Sequence, residues 1–234
     1  MPYQYLKIAI ESLLHRKQQL QWLIEQNVCA KKVASFGCGD AYEPLALMWA
    51  LGASEAVGID LDIEMAQDTL ANMRQAVKTT LINLDCSIDV PEYVLVWRDN
   101  SVLNSLKRLL QEEYIKFFPR DITKSTELQP DYYDIAFCEF VLYQIWFDQE
   151  RENPRADTQS AIREMARVVR PGGKVAAFEC VQFSDKPRVS FKELFRQAGL
   201  KEIYTKEKLA ESGSQERCLV GEYLLFDKPA RRFC

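Results

Sequence analysis

Residues 33–40, Val-Ala-Ser-Phe-Gly-Cys-Gly-Asp, are the stretch that decides the fold of this chain. The apolar residues before Gly37 predict a short buried strand, and an apolar helical pattern over residues 45–51 follows until Gly52 ends it. Glycines in the turn let the backbone approach a ligand closely, and the N–H groups at a helix start favour an anion. The turn therefore predicts a ligand-binding loop, although a short Gly-x-Gly motif does not select the ligand by itself.

The second predicted strand ends in an acidic residue. Residues 56–59 are apolar, Asp60 follows them about 21 positions after Gly39, and Asp62 stands where it can cap the next helix. A carboxylate at the end of this strand can accept hydrogen bonds from both hydroxyls of a ribose. The alternative is that Asp60 only caps the helix, but Asp62 fits that role better. We therefore expect an adenosine-type ligand.

The rest of the chain continues the alternation of strands and helices. Five further strand-like segments follow, at residues 115–118, 134–138, 174–179, 200–205 and 218–226. The turn at residues 170–173, Arg-Pro-Gly-Gly, precedes the third of these segments, and the last two can pair antiparallel. This order predicts an α/β fold: a doubly wound, seven-stranded, mostly parallel sheet with an antiparallel last strand and helices on both faces.

Two segments are expected to decorate this core within a single domain over residues 1–234. The N-terminal segment, residues 1–27, carries apolar residues at helical spacing and predicts one or two amphipathic helices. Residues 83–114 interrupt the strand–helix rhythm with an extended piece around Tyr93 to Trp97 and a helical pattern after it. We interpret this second segment as an insertion, and aromatic residues in both segments predict either ordinary packing or a lid over the substrate.

The composition excludes several classes of function. The net charge is -4 and the basic residues are spread along the chain, so no nucleic-acid partner is indicated. No apolar run is long enough to span a membrane, and the first twenty residues lack the apolar stretch of a signal peptide. The seven cysteines are scattered and the single histidine, His15, lies in a polar stretch, so we expect no metal site and a reducing, cytoplasmic location.

Five motifs stand in a recognisable order: VASFGCGDAYEP (33–44), AVGIDLDIEM (56–65), FFPRDI (117–122), YYDIAFCEFVLYQI (132–145) and REMARVVRPGGKVAAFE (163–179). In this order and style the chain resembles the class I S-adenosylmethionine-dependent methyltransferases. The resemblance runs from about Val33 to Glu179. A nicotinamide enzyme would show a third glycine after Gly39, where this chain has none before Pro44.

The resemblance implies S-adenosyl-L-methionine as the cofactor and assigns a role to each residue that matches a family motif. The residues assigned to the methionine end are Gly37, Cys38 and Gly39, and those assigned to the ribose are Asp60 and Leu61. The residues assigned to the adenine are Asp121 and Ile122, and those assigned to the border of the methyl group and the acceptor are Glu139 and Phe140. The chain departs from the family pattern at Ser35, where an acidic residue is usual, and at Ala41, which replaces a third small glycine.

The expected reaction is methyl transfer to a small molecule or a protein side chain by in-line displacement. Because the cofactor carries an activated methyl group, the protein must mainly align the reactants and exclude water. A hydroxyl acceptor would also need a base, for which Tyr42, Glu139 and Tyr143 are candidates, and no catalytic residue is assigned. The two departures leave open a noncatalytic binding or scaffold module, and aminopropyl transfer is a third reading. Neither the acceptor nor the oligomeric state follows from the sequence.

Overall fold

A computed structural model describes residues 2–85, 91, 94, 96, 102–111, 114–183, 188–209 and 218–230 of the chain. Among these residues, the helices are α1 (Pro2–Gln19), α2 (Gln21–Glu25), α3 (Tyr42–Leu51), α4 (Glu64–Asp85), α5 (Val102–Leu109), α6 (Val141–Phe147), α7 (Pro154–Val168) and α8 (Lys192–Gln197). The strands are β1 (Lys32–Phe36), β2 (Glu55–Asp60), β3 (Ile115–Pro119), β4 (Tyr133–Glu139), β5 (Val169–Phe183), β6 (Lys201–Leu209) and β7 (Cys218–Asp227). Every predicted strand-like segment overlaps one of these strands.

The strands form one sheet in the order β3-β2-β1-β4-β5-β7-β6. Strand β4 runs parallel to β1 and β5, with Cys138 opposite Phe36 on one side and Ala177 on the other. Strand β7 runs antiparallel to both β5 and β6. The strand order changes direction between β1 and β4, and an open α/β sheet binds its ligand at the carboxyl ends of the strands at such a point. The predicted doubly wound, seven-stranded sheet is confirmed.

The chain divides into two compact units. The first comprises residues 1–31, 38–58 and 62–118, and the second comprises residues 32–37, 59–61 and 119–234. In the first unit, α1 packs against α3 and α4 and fully buries Leu6, Ile10 and Leu13, as their helical spacing predicts. Ile24, another apolar residue of the N-terminal segment, is in contrast 36% exposed.

The helix boundaries of the first unit follow their sequence signals. Gly52 adopts a left-handed conformation with φ +70° at the end of α3, and the Ala53 N–H donates to the Met48 carbonyl at 3.0 Å. At the start of α4, the Glu64 N–H donates to the Asp62 carboxylate at 2.9 Å. Asp62 is therefore the cap of α4, as predicted.

The second unit has an aromatic core on its part of the sheet. Phe195 of α8 stacks on Phe226 of β7 with ring centroids 4.9 Å apart. The large aromatic side chains of this core are fully buried, at Phe36, Phe137, Phe191, Phe195 and Phe226. Each such side chain contributes roughly 1.5–3 kcal/mol through its removal from water. These side chains form much of the apolar core of the second unit.

Two sequence predictions about residues 83–114 were wrong. Helix α4 continues to Asp85, so the interruption does not begin at residue 83. Val94 and Val96 are helical, not extended, although the remainder of the predicted extended piece, including Tyr93 and Trp97, lies outside the described residues. The helical pattern that follows is confirmed as α5.

The predicted Arg-Pro-Gly-Gly turn lies inside β5 and not before it. Tyr133 is opposite Val169 and Ile135 is opposite Lys174, so residues 170–173 form a bulge in the strand. The Gly172 N–H donates to the Lys228 carbonyl at 2.8 Å. Residues 170–173 therefore do interrupt the regular strand, but the backbone beyond β7 supplies hydrogen-bond partners that keep them in the sheet.

Candidate functional site

The ends of β1 and β2 meet in the second unit through the backbone. The Gly37 N–H donates to the Ile59 carbonyl at 2.7 Å, and the Arg120 N–H donates to the Asp60 carbonyl at 2.8 Å. These bonds bring the first glycine, the acidic end of β2 and the start of the loop after β3 to one edge of the sheet. The Asp60 side chain is partly buried there, and Leu61 beside it is 66% exposed.

Gly37 is required by both its conformation and its surroundings. Its φ of +73° is a left-handed value that favours glycine, and a Cβ at this position would overlap Cγ2 of Val141 at the start of α6. The loop after β1 and the loop after β4 are therefore in contact at this glycine. Glycine is here a packing requirement as well as a means of close backbone approach.

Asp121 follows β3 in a network that keeps its carboxylate ionised. Burial opposes ionisation, but hydrogen bonds from the Thr123 hydroxyl at 2.7 Å and the Thr123 amide at 2.9 Å, with the charges of Arg151 and Lys124, lower its pKa. Ile122 next to it is buried, with 7% exposure. A charged acceptor beside an apolar side chain is suited to an amino-substituted aromatic ring.

Glu139 and Phe140 stand at the end of β4, as predicted. Phe140 adopts a left-handed conformation with φ +57°, its N–H donates to the Phe178 carbonyl at 2.9 Å, and the two rings meet edge to face. Glu139 is partly exposed. The pKa of Tyr223 is raised mainly by the burial of Tyr223 and additionally by the negative charge of Glu139. Both residues are thus at the carboxyl edge of the second unit.

Glu179 is a residue of this edge to which the sequence reasoning gave no role. It is fully buried at the end of the fifth motif, and its carboxylate accepts the N–H groups of Val141, Leu142 and Tyr143, each at 3.1 Å. Burial raises its pKa to about 7, although those three bonds and the Cys138 thiol act in the opposite direction. The signal that could have found it is an acidic residue inside an otherwise apolar strand.

In the first unit, the glycine loop continues with two more left-handed residues. Gly39 has φ +52° and Ala41, which is fully buried, has φ +73° at the N-cap of α3. The Asp40 carboxylate accepts the Tyr42 N–H at 3.2 Å and lies 3.9 Å from the Arg16 guanidinium of α1. Ala41 therefore holds a conformation that a third glycine would adopt with less strain. Cys38 is a buried free thiol in the same loop.

Tyr42 keeps its proton. Burial, together with the charge of Asp40 and a hydrogen bond with the Tyr5 hydroxyl, raises the pKa of Tyr42 to about 12. The Tyr5 hydroxyl in turn donates to the Thr69 carbonyl at 3.3 Å. This arrangement disfavours Tyr42 as a general base, because a base must lose its proton near the working pH. Tyr143, another candidate, is buried in α6 and packs on Phe147 with ring centroids 4.6 Å apart.

The aromatic residues that could form a lid pack within their own units wherever they are described. Tyr3 accepts a hydrogen bond from Asn83 at 2.6 Å, Trp22 is buried, and Trp146 meets Phe191 edge to face. Ordinary packing is therefore the interpretation that these contacts favour. Ser35, the first departure from the family pattern, is fully buried in β1 opposite Phe137.

Other classes of site find no support in the part of the chain that the structure describes. No group of three His, Cys, Asp or Glu side chains there is placed to hold a metal ion, and no helix there is long and apolar enough to cross a membrane. His15 is exposed and lies 3.2 Å from the Gln19 amide, as its polar surroundings predict. Cys29, Cys38 and Cys138 are free thiols, but Cys180 is disulfide-bonded, which the scattered cysteine spacing did not predict.

Comparison with known proteins agrees with this geometry. The N-methyltransferase NodS from Bradyrhizobium japonicum WM9 aligns over 94% of this chain and 97% of its own, with a TM-score of 0.58 and 13% identity. The chain has the class I methyltransferase fold. A family model described as a methyltransferase domain also matches residues 90–177. The fold that the resemblance implied is thus confirmed.

Further relatives show how broad this methyltransferase fold is. A methyltransferase dependent on S-adenosylmethionine, from Methanosarcina mazei, aligns over 89% of this chain and 98% of its own, with a TM-score of 0.55 and 14% identity. The (4+2)-cyclase SpnF aligns over 92% of this chain and 82% of its own, with a TM-score of 0.55 and 15% identity. NodS has also been solved with S-adenosyl-L-homocysteine. No curated protein matches the chain in sequence. At these identities the likeness extends to the fold, and activity is a separate question.

Proposed function

We propose that this chain binds S-adenosylmethionine and transfers its methyl group to a small molecule or a protein side chain. The observation that carries the proposal is the edge of the second unit, where Gly37, Asp60, Asp121 and Glu139 stand at or just after the ends of four different strands. In a sheet of this kind the ligand lies at that edge. The residues suit the group, because the carboxylates at this edge can accept hydrogen bonds from ribose hydroxyls and an exocyclic amine.

The residues at this edge would divide the cofactor among them. The backbone of the glycine loop, residues 37–39, would face the methionine end, Asp60 and Leu61 the ribose, and Asp121 and Ile122 the adenine. Asp121 already accepts two hydrogen bonds from Thr123, and a carboxylate has further lone pairs for an amine donor. Glu139 and Phe140 would border the reacting centre. The bound cofactor supplies a sulfonium-activated methyl group.

The protein's own contribution is to align the acceptor and, for a hydroxyl, to take its proton. Glu139 is better suited to that role than Tyr42, because it is a partly exposed carboxylate and Tyr42 has a pKa of about 12. An amine acceptor that is already neutral needs less assistance. The identity of the base therefore depends on the acceptor, and Glu139 is the residue to test first.

A noncatalytic binding module is the second candidate. The strained Ala41 and the buried Ser35 stand where the family pattern has a small glycine and an acidic residue. Both positions adjoin the glycine loop, so we expect the two departures to affect cofactor affinity more directly than the rate of methyl transfer. A protein of this kind would keep the fold without transferring a methyl group.

Transfer of a labelled methyl group separates the two candidates. The purified protein is incubated with S-adenosylmethionine labelled in the methyl group and with either a metabolite extract or a protein extract. We expect label in a product with the wild type and with the Asp62→Ala control, and loss of that label with Asp60→Ala. Binding of the cofactor without transfer in either extract would favour a noncatalytic binding module, and no binding would contradict the enzyme and favour a scaffold.

A further inference from the structure

The start of α6 is held by a side chain from a neighbouring strand. Helix α6 has seven residues, and Phe140 at its N-cap contributes no side-chain cap. Glu179 of β5 supplies this function: Oε1 accepts the amides of Val141 and Leu142, and Oε2 accepts the amide of Tyr143. A carboxylate at this place satisfies three N–H groups that an isolated helix start leaves without partners.

The same helix start contacts the first glycine of the proposed cofactor loop. The Val141 side chain occupies the space that a Cβ on Gly37 would need. Glu179 binds the amide of that same Val141, so its carboxylate fixes the residue that packs on Gly37. Phe140, one residue earlier, is fixed to Phe178 of β5 through its N–H. Strand β5 therefore sets the conformation of residues 139–143 at the carboxyl edge of the second unit.

We infer that Glu179 is a positioning residue: it fixes Val141 against Gly37, directly after Glu139 and Phe140, and so supports cofactor binding without touching the cofactor itself. The inference rests on the proposed function, because it assigns Glu179 a role in the site proposed there. A merely structural glutamate would affect stability alone. A positioning residue also changes ligand affinity, and it does so through the residue that it positions.

The protonation of Glu179 gives this role a pH dependence. Its pKa of about 7 means that the carboxyl gains its full capacity to accept the three amides as the pH rises through neutrality. Ionisation strengthens the bonds at the α6 start, so ligand affinity should rise over that window, whereas the cost of the buried charge lowers the stability of the fold over the same window. The other titratable groups on the elements packed around it are Cys138 and Glu139 of β4, Tyr143 of α6, Glu222 and Tyr223 of β7, and Lys192 of α8, which pairs with Glu222 at 3.2 Å.

The chain offers a matched control for this glutamate. Glu222 is directly opposite Glu179 on β7 and is also buried, but its partner is Lys192 and not the α6 amides. Glu179→Gln and Glu222→Gln therefore make the same chemical change in adjacent strands. The Gln amide at 179 keeps one accepting oxygen and turns an NH₂ group toward backbone N–H donors, whereas the same group at 222 faces a lysine.

The experiment measures binding of S-adenosyl-L-homocysteine by calorimetry at about pH 6, 7 and 8, with the unfolding temperature of each variant as a check on folding. We expect Glu179→Gln to weaken binding about tenfold, as one unsatisfied buried donor implies, and to abolish the rise of affinity with pH. Glu222→Gln should stay within about twofold of the wild type and keep that rise. Combining Glu179→Gln with Val141→Ala should lose less affinity than the product of the single losses.

Amide hydrogen exchange separates failure of this inference from failure of the proposed function. If the wild type does not bind S-adenosyl-L-homocysteine, the proposed function is contradicted, and exchange at residues 141–143 still tests the positioning. Faster exchange there in Glu179→Gln than in Glu222→Gln supports it. Unchanged exchange in Glu179→Gln overturns the inference. If the wild type binds the ligand, an affinity of Glu179→Gln equal to that of the wild type overturns it as well. So does an affinity loss in the double variant that equals the product of the two single losses.

Discussion

Helices α3 and α6 begin in the same way but bind different partners at their first amides. Each follows a strand and has a non-glycine residue in a left-handed conformation at its N-cap, Ala41 with φ +73° and Phe140 with φ +57°. At α6 the protein supplies the anion, because Glu179 accepts three amides. At α3 Asp40 accepts the Tyr42 amide, and we propose that the cofactor carboxylate is the anion of that loop.

The same strand-to-helix junction thus has two uses in one fold. A helix start whose amides are bound by a buried glutamate is a rigid element, and it positions the residues beside it. A helix start in a loop of small residues can accept a ligand, because backbone groups remain within reach of it. The predictions below test whether the two junctions have these separate roles.

The largest effect is expected at the acidic end of β2. Asp60→Ala should weaken binding of S-adenosylmethionine at least about tenfold, because the ribose hydroxyls lose a charged acceptor. Calorimetry measures this directly. Asp62→Ala is the control: it removes the cap of α4, lowers stability by about 1 kcal/mol and leaves affinity unchanged. Equal affinities of Asp60→Ala and the wild type would remove Asp60 from the site.

The next effect concerns the contact between the two loops at Gly37. Gly37→Ala should destabilise the protein by about 1–3 kcal/mol, because the new methyl group overlaps Val141 and φ is positive. Gly39→Ala should cost about 1 kcal/mol, because a Cβ there meets no atom within 4 Å and only the left-handed conformation is penalised. Denaturant unfolding measures both. Val141→Ala should restore part of the stability lost in Gly37→Ala, and no such rescue would mean that overlap is not the cause.

The smallest effect separates the two left-handed N-caps. Ala41→Gly should stabilise the protein by about 0.5–1 kcal/mol, because the backbone at φ +73° is relieved and only a methyl group is lost. Phe140→Gly should not stabilise it, because the contact of that ring with Phe178 is lost as well. For a chain of this size the gain in Ala41→Gly corresponds to a rise of about 2 °C in Tm. A gain in both variants would contradict the distinction between the caps.

The sequence predicted the strands and the strand-end residues because both depend on local pattern. The apolar run before Asp60 and the cap at Asp62 can be predicted without a structure, and each lies where it was expected. The bulge at residues 170–173 could not be predicted, because it is kept in the sheet by hydrogen bonds with Lys228, about 55 residues further along the chain.

The role of Glu179 was hidden for the same physical reason. Its partners are three amides about 37 positions earlier in the chain, and nothing in the local pattern of β5 indicates them. The conformation of Ala41 also escaped the sequence, because alanine normally avoids positive φ. Positions at which tertiary contacts override local preference are those where functional sites tend to lie.

The most direct test of the account is calorimetric titration of the wild-type protein with S-adenosylmethionine and, separately, with NAD. The account predicts one site of micromolar or tighter affinity for S-adenosylmethionine and no measurable binding of NAD. Absence of binding to S-adenosylmethionine, or preference for NAD, would contradict it.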